Sequence, residues 1–273
     1  MIAQLAASEV VTKPIDRHEQ GAPYELPRHV ESLEDCYFYH TMELPEFGLV
    51  PGHWDLRDMF DDYVGHVHVR NRRVLDIGVA TGFLTFEAER RGADVVSFDI
   101  GHGGQQKLLP FHQKLYYRDH ARWAEARSDH FDAWKNAYWL CHRLFKSQAR
   151  VHYGDIHQLP PSLGRFDVVI VGAVLEHVND QISALASISR VTGETMVIAT
   201  DLIDSEERLA RFEPRANNPD QDFTWWTYSI GTYREILGML GFEIERVTTA
   251  NYRYARMNTT AKRYTIVARR VAD

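Results

Sequence analysis

The sequence predicts an α/β fold of the Rossmann-like type, a seven-stranded, mostly parallel sheet with helices on both faces. Two observations predict it. Short apolar runs alternate with amphipathic stretches from about residue 71 onward, which is typical of a doubly wound sheet. A glycine-bearing turn follows the first apolar run, and the acidic Asp99 ends the second. In open α/β sheets such residues meet at the carboxyl edge of the strands, where ligands bind.

The first half of the domain is predicted to contain strands over 73–78 and 93–99 and a helix over 81–91. The first strand is a short apolar run that ends in glycine, as expected for a buried parallel strand. An insertion over about 101–148 then interrupts the alternation. Aromatic residues recur there at helical spacing and predict a long helix with Ser128 as its N-cap; they are Phe131, Trp134, Tyr138 and Phe145.

The second half continues the alternation to the end of the sheet. Its predicted strands lie near Val151 and over 166–172, 194–200, 242–249 and 262–269, and its predicted helices over 181–190 and 233–240. The last two strands are expected to be joined by a hairpin-like connection.

Two further segments precede the sheet domain of residues 71–273. Residues 1–30 carry Pro14, Pro23 and Pro27 with little periodicity, and we interpret them as a flexible arm. Residues 31–70 are rich in aromatic side chains and predict an N-terminal cap. A homo-oligomer could form through the arm or the helical insertion.

Composition narrows the class of protein. The chain has 273 residues, 44% of them hydrophobic, and a net charge of −7, so a general affinity for nucleic acid is disfavoured. Cys36 and Cys141 give neither a disulfide framework nor metal-ligand spacing. Without a long apolar run or a basic leader, we expect a cytoplasmic protein with no membrane partner.

The strongest motif is VLDIGVATG at residues 74–82, followed by Asp99. Glycine lets a ligand approach the backbone, and an acidic residue at the tip of the second strand can accept hydrogen bonds from a ribose diol. Nicotinamide dinucleotides are the alternative ligand, but their Gly-x-Gly-x-x-Gly loop binds a pyrophosphate. Here Asp76 precedes the turn and would repel phosphate, whereas it suits the ammonium end of S-adenosylmethionine.

Two later segments, GDIHQLP at 154–160 and FDVVIVGAVLEHV at 166–178, occur in the order expected of the same fold. Together the segments resemble the class I S-adenosylmethionine-dependent methyltransferases over about residues 73–270. The resemblance implies S-adenosylmethionine as cofactor, with Asp155 accepting the adenine amino group and Ile156 packing on the base. The cofactor-binding residues it implies here are Asp76, Gly78, Ala80, Gly82, Phe83, Asp99, Asp155, Ile156 and Ala173. Ala80 departs from the family pattern, which usually has a second glycine there.

A narrower resemblance involves FYHTMEL at 38–44 and PGHWDLR at 51–57. These segments, with the Phe223-to-Phe242 stretch, are similar to proteins related to the wobble-uridine transfer-RNA alkyltransferases. The resemblance implies that Tyr39 and His40 help to hold the cofactor and that Trp54 and Arg57 help to close the pocket toward the substrate.

Methyl transfer is an in-line displacement, so positioning supplies more of the rate than a base does. His177, after the fourth strand, is the candidate base, because histidine exchanges protons near neutral pH; a purely pocket-lining role is the alternative. Trp226 and Tyr228 are expected to form a wall over the acceptor, core packing being the alternative, and His120 is a further substrate-side candidate. His66 and His68 lack a third ligand, so no metal is expected.

These observations favour methylation of a small molecule on oxygen, nitrogen or carbon. Three alternatives stay open at this point. One is modification of transfer RNA, the second is a non-catalytic cofactor-binding protein, and the third is a nicotinamide-dependent oxidoreductase.

Overall fold

The computed structural model describes residues 24–272. Residues 1–23 of the arm predicted over residues 1–30 therefore lie outside the described residues. Beyond that point the chain contacts the main domain, because the backbone N–H of Glu25 donates to the Val151 carbonyl at 2.8 Å and Val30 is buried.

The structure contains short cap elements, a central sheet and flanking helices. The elements up to the insertion are β1 (Met42–Leu44), β2 (Gly48–Val50), β3 (Trp54–Asp55), α1 (Phe60–Tyr63), β4 (Arg73–Ile77), α2 (Phe83–Arg90), β5 (Asp94–Ile100), α3 (Leu115–Arg118) and α4 (His120–Leu144). The later elements are β6 (Arg150–Gly154), β7 (Phe166–Gly172), α5 (Gln181–Val191), β8 (Thr192–Thr200), β9 (Ala210–Phe212), β10 (Trp226–Tyr228), α6 (Ile230–Met239), β11 (Phe242–Tyr254) and β12 (Thr259–Arg270).

The central sheet has eight strands in the order β3-β11-β12-β8-β7-β4-β5-β6. Strands β6, β5, β4, β7 and β8 run parallel, and β12, β11 and β3 complete the sheet antiparallel. This arrangement confirms the predicted α/β class, with one strand more than the seven predicted. The additional strand, β3, spans two residues of the cap and pairs Trp54 with Tyr254. Two residues are too few to show the alternation that indicates a strand.

Apolar cores lie on both faces of the sheet, as strand β4 illustrates. Val74 packs with α2, α4 and the cap, whereas Leu75 and Ile77 pack with α5 and α6. Successive side chains of a strand point to opposite faces, so Asp76 shares the face of Val74. None of the helices between residues 24 and 272 is long and apolar enough to cross a membrane.

The insertion forms one long helix, α4, whose start differs from the prediction. The helix begins at His120, and the Asp119 side chain caps it by accepting the N–H of Arg122 at 3.1 Å. Ser128, the predicted N-cap, lies inside the helix and donates its hydroxyl to the Ala124 carbonyl. The prediction was wrong because the first turns of α4 are largely exposed and carry no apolar stripe; the stripe begins at Phe131.

The closing hairpin is longer than predicted. Strands β11 and β12 stay paired as far as Tyr254 and Thr259, beyond the expected ends at 249 and 262. The additional residues of the hairpin contact the cap, because Arg253 of β11 pairs with Asp55 of β3. The hairpin and the cap therefore form one wall above the carboxyl ends of the parallel strands.

Candidate active site

A cavity of about 610 Å³ lies at the carboxyl edge of the parallel strands. Its volume falls within the range of ordinary small-molecule sites. The loops after β4, β5, β6 and β7 line one side, and the cap, the insertion and the closing hairpin line the other. This is where an open α/β sheet is expected to bind its ligand.

The turn after β4 brings the backbone to the cavity. Gly78 adopts φ +80°, a conformation that favours glycine, and its N–H donates to the Phe98 carbonyl at 2.8 Å. Ala80 adopts φ +47° in spite of its Cβ, and its N–H donates to Asp99 Oδ2 at 2.9 Å. The alanine that departs from the family pattern is thus accommodated in the left-handed region.

Asp99 lines the cavity at the end of β5. Its Oδ1 accepts the N–H of Ile100 at 2.7 Å, and its Oδ2 accepts the N–H of Ala80. Burial raises the pKa of Asp99, and these two backbone hydrogen bonds oppose the rise. Each carboxylate oxygen can accept a second hydrogen bond. The group can therefore receive both hydroxyls of a vicinal diol.

Asp155 and Ile156 line the same part of the cavity, after β6. Asp155 Oδ1 accepts hydrogen bonds from the backbone N–H and from Nδ1 of His157, at 2.9 and 2.7 Å. Burial alone would raise the pKa of Asp155, but the hydrogen bonds from His157 outweigh it and lower the pKa. Asp155 is consequently an ionised acceptor beside the apolar side chain of Ile156. Ala173, after β7, lines the cavity as well.

Three predicted cofactor residues do not line the cavity. Asp76 is 1% exposed and its side chain contacts α2, where the Thr85 hydroxyl donates to its Oδ2 at 2.7 Å. Burial raises the pKa of Asp76 to about 7. Gly82 faces the rings of Phe86 and Tyr138, and Phe83 is buried in the same core. A sequence motif gives no side-chain direction, and a role of Asp76 toward the cofactor stays a prediction.

The cap supplies Tyr39 and His40, both at the cavity. The Thr81 hydroxyl accepts the backbone N–H of His40 at 3.0 Å and also lies 3.2 Å from Nδ1 of the same residue. Burial, followed by the proximity of His53, lowers the pKa of His40 to about 3. His40 is therefore a neutral imidazole.

A buried carboxylate, Glu176, lies on the side of the cavity away from Asp99 and Asp155 and is 5% exposed. Its Oε2 accepts the Thr200 hydroxyl at 3.2 Å, and its Oε1 lies 3.6 Å from Arg263 Nη1. Arg263 also pairs with Asp201 at 2.5 Å. Arg263 and Asp201 could not be predicted as site residues from the sequence, because only the pairing of β12 with β8 brings these distant residues together.

Aromatic rings cover this side of the cavity. Trp54 and Tyr254 have ring centroids 4.8 Å apart, and Tyr63 and Tyr252 are 5.2 Å apart. Burial raises the pKa of Tyr39 to about 12, and the charge of Glu176 adds to the rise. The Tyr39 phenol therefore stays protonated and acts as a neutral hydrogen-bond group.

His177 lines the cavity next to Glu176. Its Nδ1 lies 2.8 Å from the Phe223 carbonyl oxygen. Because a carbonyl only accepts hydrogen bonds, Nδ1 carries the hydrogen and Nε2 is left as an acceptor.

Among the predicted substrate residues, only Trp54 lines the cavity. Arg57 instead makes two hydrogen bonds to Asp55, each 2.8 Å long. His120 is exposed at the start of α4, beside Trp123. Neither member of the predicted acceptor wall lines the cavity: Trp226 packs on Phe212, with ring centroids 4.9 Å apart, and Tyr228 packs on Tyr233, with centroids 5.8 Å apart.

Comparison with known proteins places the chain in a family. The family model described as "Methyltransferase domain" matches residues 55–247. The chain belongs to this family. S-adenosylmethionine is the cofactor that such a methyltransferase domain binds. The match confirms the predicted class of methyltransferase, whereas the wobble-uridine subgroup stays a prediction.

Solved structures of methyltransferases share the fold. Magnesium protoporphyrin IX methyltransferase of Synechocystis PCC 6803, with bound S-adenosylhomocysteine, is 15% identical with a TM-score of 0.50, over 79% of this chain and 81% of that chain. An S-adenosylmethionine-dependent methyltransferase of Methanosarcina mazei is 13% identical with a TM-score of 0.50, over 80% of this chain and 100% of the other. No curated protein sequence matches significantly. At these identities the likeness shows the fold.

Proposed function

We propose that this methyltransferase transfers a methyl group from S-adenosylmethionine to a small-molecule acceptor. One observation carries the proposal. A single cavity joins the acceptor groups Asp99 and Asp155 to a second region around Glu176 and His177. The first region suits the adenosine of the cofactor, and the second suits the molecule that is methylated.

The residues around the first region fit the cofactor. Asp99 would receive the ribose hydroxyls, Asp155 the adenine amino group, and Ile156 would pack on the base. The turn at Gly78 and Ala80 would lie under the amino-acid end. When bound, the cofactor supplies a methyl carbon that its sulfonium has already activated. The rings of Tyr39 and Trp54 favour a cation nearby, because aromatic faces attract positive charge.

The residues of the second region would orient the acceptor and accept its proton. Holding two reactants in line can supply on the order of 7–11 kcal/mol of the barrier. The hydrogen bond from Nδ1 to the Phe223 carbonyl fixes the His177 ring, so its Nε2 can take a proton from a hydroxyl or amine of the acceptor. Such a base contributes roughly 10²–10⁴-fold in rate. The aromatic rings exclude water while this occurs.

Shape and charge support a small acceptor over transfer RNA. The second region is a recess walled by Tyr63, Tyr252 and Tyr254, and the net charge of −7 gives RNA no general attraction. Methylation of a wobble uridine is the competing proposal. A cytoplasmic location would suit either one.

The test begins with calorimetric titration of the protein with S-adenosylmethionine, S-adenosylhomocysteine, NAD and NADP. We expect the first two to bind and the dinucleotides not to bind; binding of NAD alone would overturn the proposal. Methyl-labelled cofactor is then incubated with small-molecule acceptors and with total transfer RNA. Label found in transfer RNA only would favour the competing proposal, and cofactor binding with no transfer to either would favour a non-catalytic role.

A further inference from the structure

Two arginines of the cavity wall have only neutral hydrogen-bond partners in the described structure. Arg127 Nε donates to Gln106 Oε1 at 2.8 Å, and Arg256 Nη1 lies 3.3 Å from His53 Nε2. Arg263, which also lines the cavity, is instead paired with two carboxylates. Within residues 24–272 no carboxylate oxygen lies within 4.0 Å of a nitrogen of Arg127 or Arg256.

The histidine that contacts Arg256 is itself neutral. The Tyr37 hydroxyl lies 2.5 Å from His53 Nε2, the atom that Arg256 also approaches. A guanidinium group can only donate hydrogen bonds, so Nε2 accepts and the hydrogen of the ring is on Nδ1. Burial lowers the pKa of His53, and the charge of Arg256 lowers it further.

Two histidines connect the surroundings of the two arginines. His130 follows Arg127 by about one turn of α4, its ring centroid lies 5.0 Å from that of Tyr37, and the Tyr37 hydroxyl contacts His53. Burial lowers the pKa of His130 first, followed by the charge of Arg127 and the proximity of His53. We call Arg127, His130, His53 and Arg256 the basic rim. Burial also lowers the pKa of Arg127, and the charge of Asp222 opposes this effect.

The basic rim lies beside aromatic surfaces. The rings of Tyr39 and Trp134 have centroids 5.6 Å apart, and Trp54 and Tyr254 form a second pair. The guanidinium of Arg127 lies 4.9 Å from the ring centroid of Phe131, which holds it in place. A flat ligand can contact such faces, and a planar guanidinium binds a carboxylate in a forked geometry.

We propose that the acceptor is an aromatic carboxylate, its carboxylate bound by Arg127 and Arg256 and its ring held against the neighbouring aromatic side chains. This inference rests on the proposed methyltransferase function and names the substrate class. An anionic ligand would add counter-charge to that of Asp222, whose carboxyl group interacts with Arg127 without an ion-pair contact. The cofactor's own carboxylate is the competing source of that charge.

The experiment uses the full-length protein saturated with S-adenosylhomocysteine. Salicylate, anthranilate and quinaldate are each compared with the corresponding primary amide by ligand-observed NMR at millimolar concentration. We expect the acids to bind and the amides to bind at least about tenfold more weakly, because the amide removes the charge but keeps the shape. Arg256→Gln and Arg127→Gln should each weaken binding of the acids by roughly tenfold to a hundredfold.

The matched control is Arg234→Gln, an exposed arginine of α6 that pairs with Glu206 away from the cavity. It should leave acid binding unchanged. Arg256 is exposed, so its variant is informative even if the more buried Arg127→Gln fails to fold, which thermal melting will show.

Three results would overturn the inference. The amides bind as well as the acids, none of the acids binds, or the arginine variants lose affinity for S-adenosylhomocysteine instead of for the acids. The last result would assign the basic rim to the cofactor's carboxylate. Failure of the wild-type protein to bind S-adenosylhomocysteine would be a different outcome, since it would remove the proposed function itself.

Discussion

Asp99 Oδ2 lies 2.9 Å from the backbone nitrogen of Ala80, so the tip of β5 is hydrogen-bonded to the turn that follows β4. The other oxygen of the same carboxylate accepts the N–H of Ile100. Two neighbouring strands therefore share one carboxylate at the point where the ribose would bind. This arrangement makes Asp99 the most direct test of the cofactor site.

Asp99→Asn should weaken binding of S-adenosylhomocysteine roughly tenfold to a hundredfold, because an amide has one acceptor oxygen and loses the charge. Asp94→Asn is the control, since Asp94 begins the same strand, is exposed and pairs with Arg150. Calorimetry should give the control the affinity of the wild type. Equal affinities for all three proteins would place the ribose elsewhere.

His40 should make the folded state less stable in mild acid. Its pKa is about 3 when folded and near 6.5 when unfolded, so the unfolded chain binds the extra proton between these values. Above about pH 6.5 the titration of His40 does not change the free energy of unfolding. Below that pH it lowers the free energy of unfolding by about 1.4 kcal/mol for each pH unit. His40→Gln removes this dependence.

Urea denaturation at several pH values between about 5 and 7 checks this expectation. The quantity to compare is the wild-type free energy of unfolding minus that of His40→Gln, which should rise with pH. Subtraction is needed because Asp76 acts in the opposite direction: its raised pKa of about 7 stabilises the protonated folded form, and that stability is lost as the pH rises toward 7. A pH-independent difference would mean that His40 is not neutral and buried.

His177→Asn should lower kcat by roughly 10²–10⁴-fold on a hydroxyl or amine acceptor. Affinity for S-adenosylhomocysteine should stay unchanged, because His177 is placed on the acceptor side. His66→Asn, which changes an exposed histidine that is not part of the cavity wall, provides the comparison. A loss of cofactor affinity with kcat unchanged would argue for a lining role of His177.

Gly82→Ala should destabilise the fold by about 2–4 kcal/mol. An added Cβ would lie 2.5 Å from the Phe86 ring and 2.8 Å from Tyr138, and the backbone has φ +85°. Gly238→Ala in α6 meets nothing within 4 Å and should be neutral or stabilising by up to about 1 kcal/mol. Chemical denaturation measures the free energy of unfolding of both variants. Similar values for the two would show that the packing around Gly82 can relax.

Most strands could be predicted from the sequence because buried parallel strands are short apolar runs between polar turns. The strand over 166–172 has the predicted bounds. The start of α4 could not be predicted, since its first turns are held by a cap at Asp119 and by no apolar stripe. Strand β3 is visible only as a partner of β11.

The site was partly predictable for a related reason. Motif spacing places Gly78, Asp99 and Asp155 at the ends of strands, and strand ends meet at one edge of the sheet. Spacing does not give side-chain direction, so it could not show that Asp76 is buried against Thr85 and does not line the cavity. Contacts between distant segments, such as Glu176 with Arg263, depend on the register of β12 against β8 and have no local signal.

Strand β12 lies in the interior of the sheet, between β8 and β11, although it follows every other described strand along the chain. A nascent chain that stops before Thr259 would leave β11 and β3 with no hydrogen-bonded link to the other five strands. The ligand pocket can therefore be completed only after translation has passed this strand, and a C-terminal truncation there should abolish ligand binding even though every loop with a cofactor motif is present.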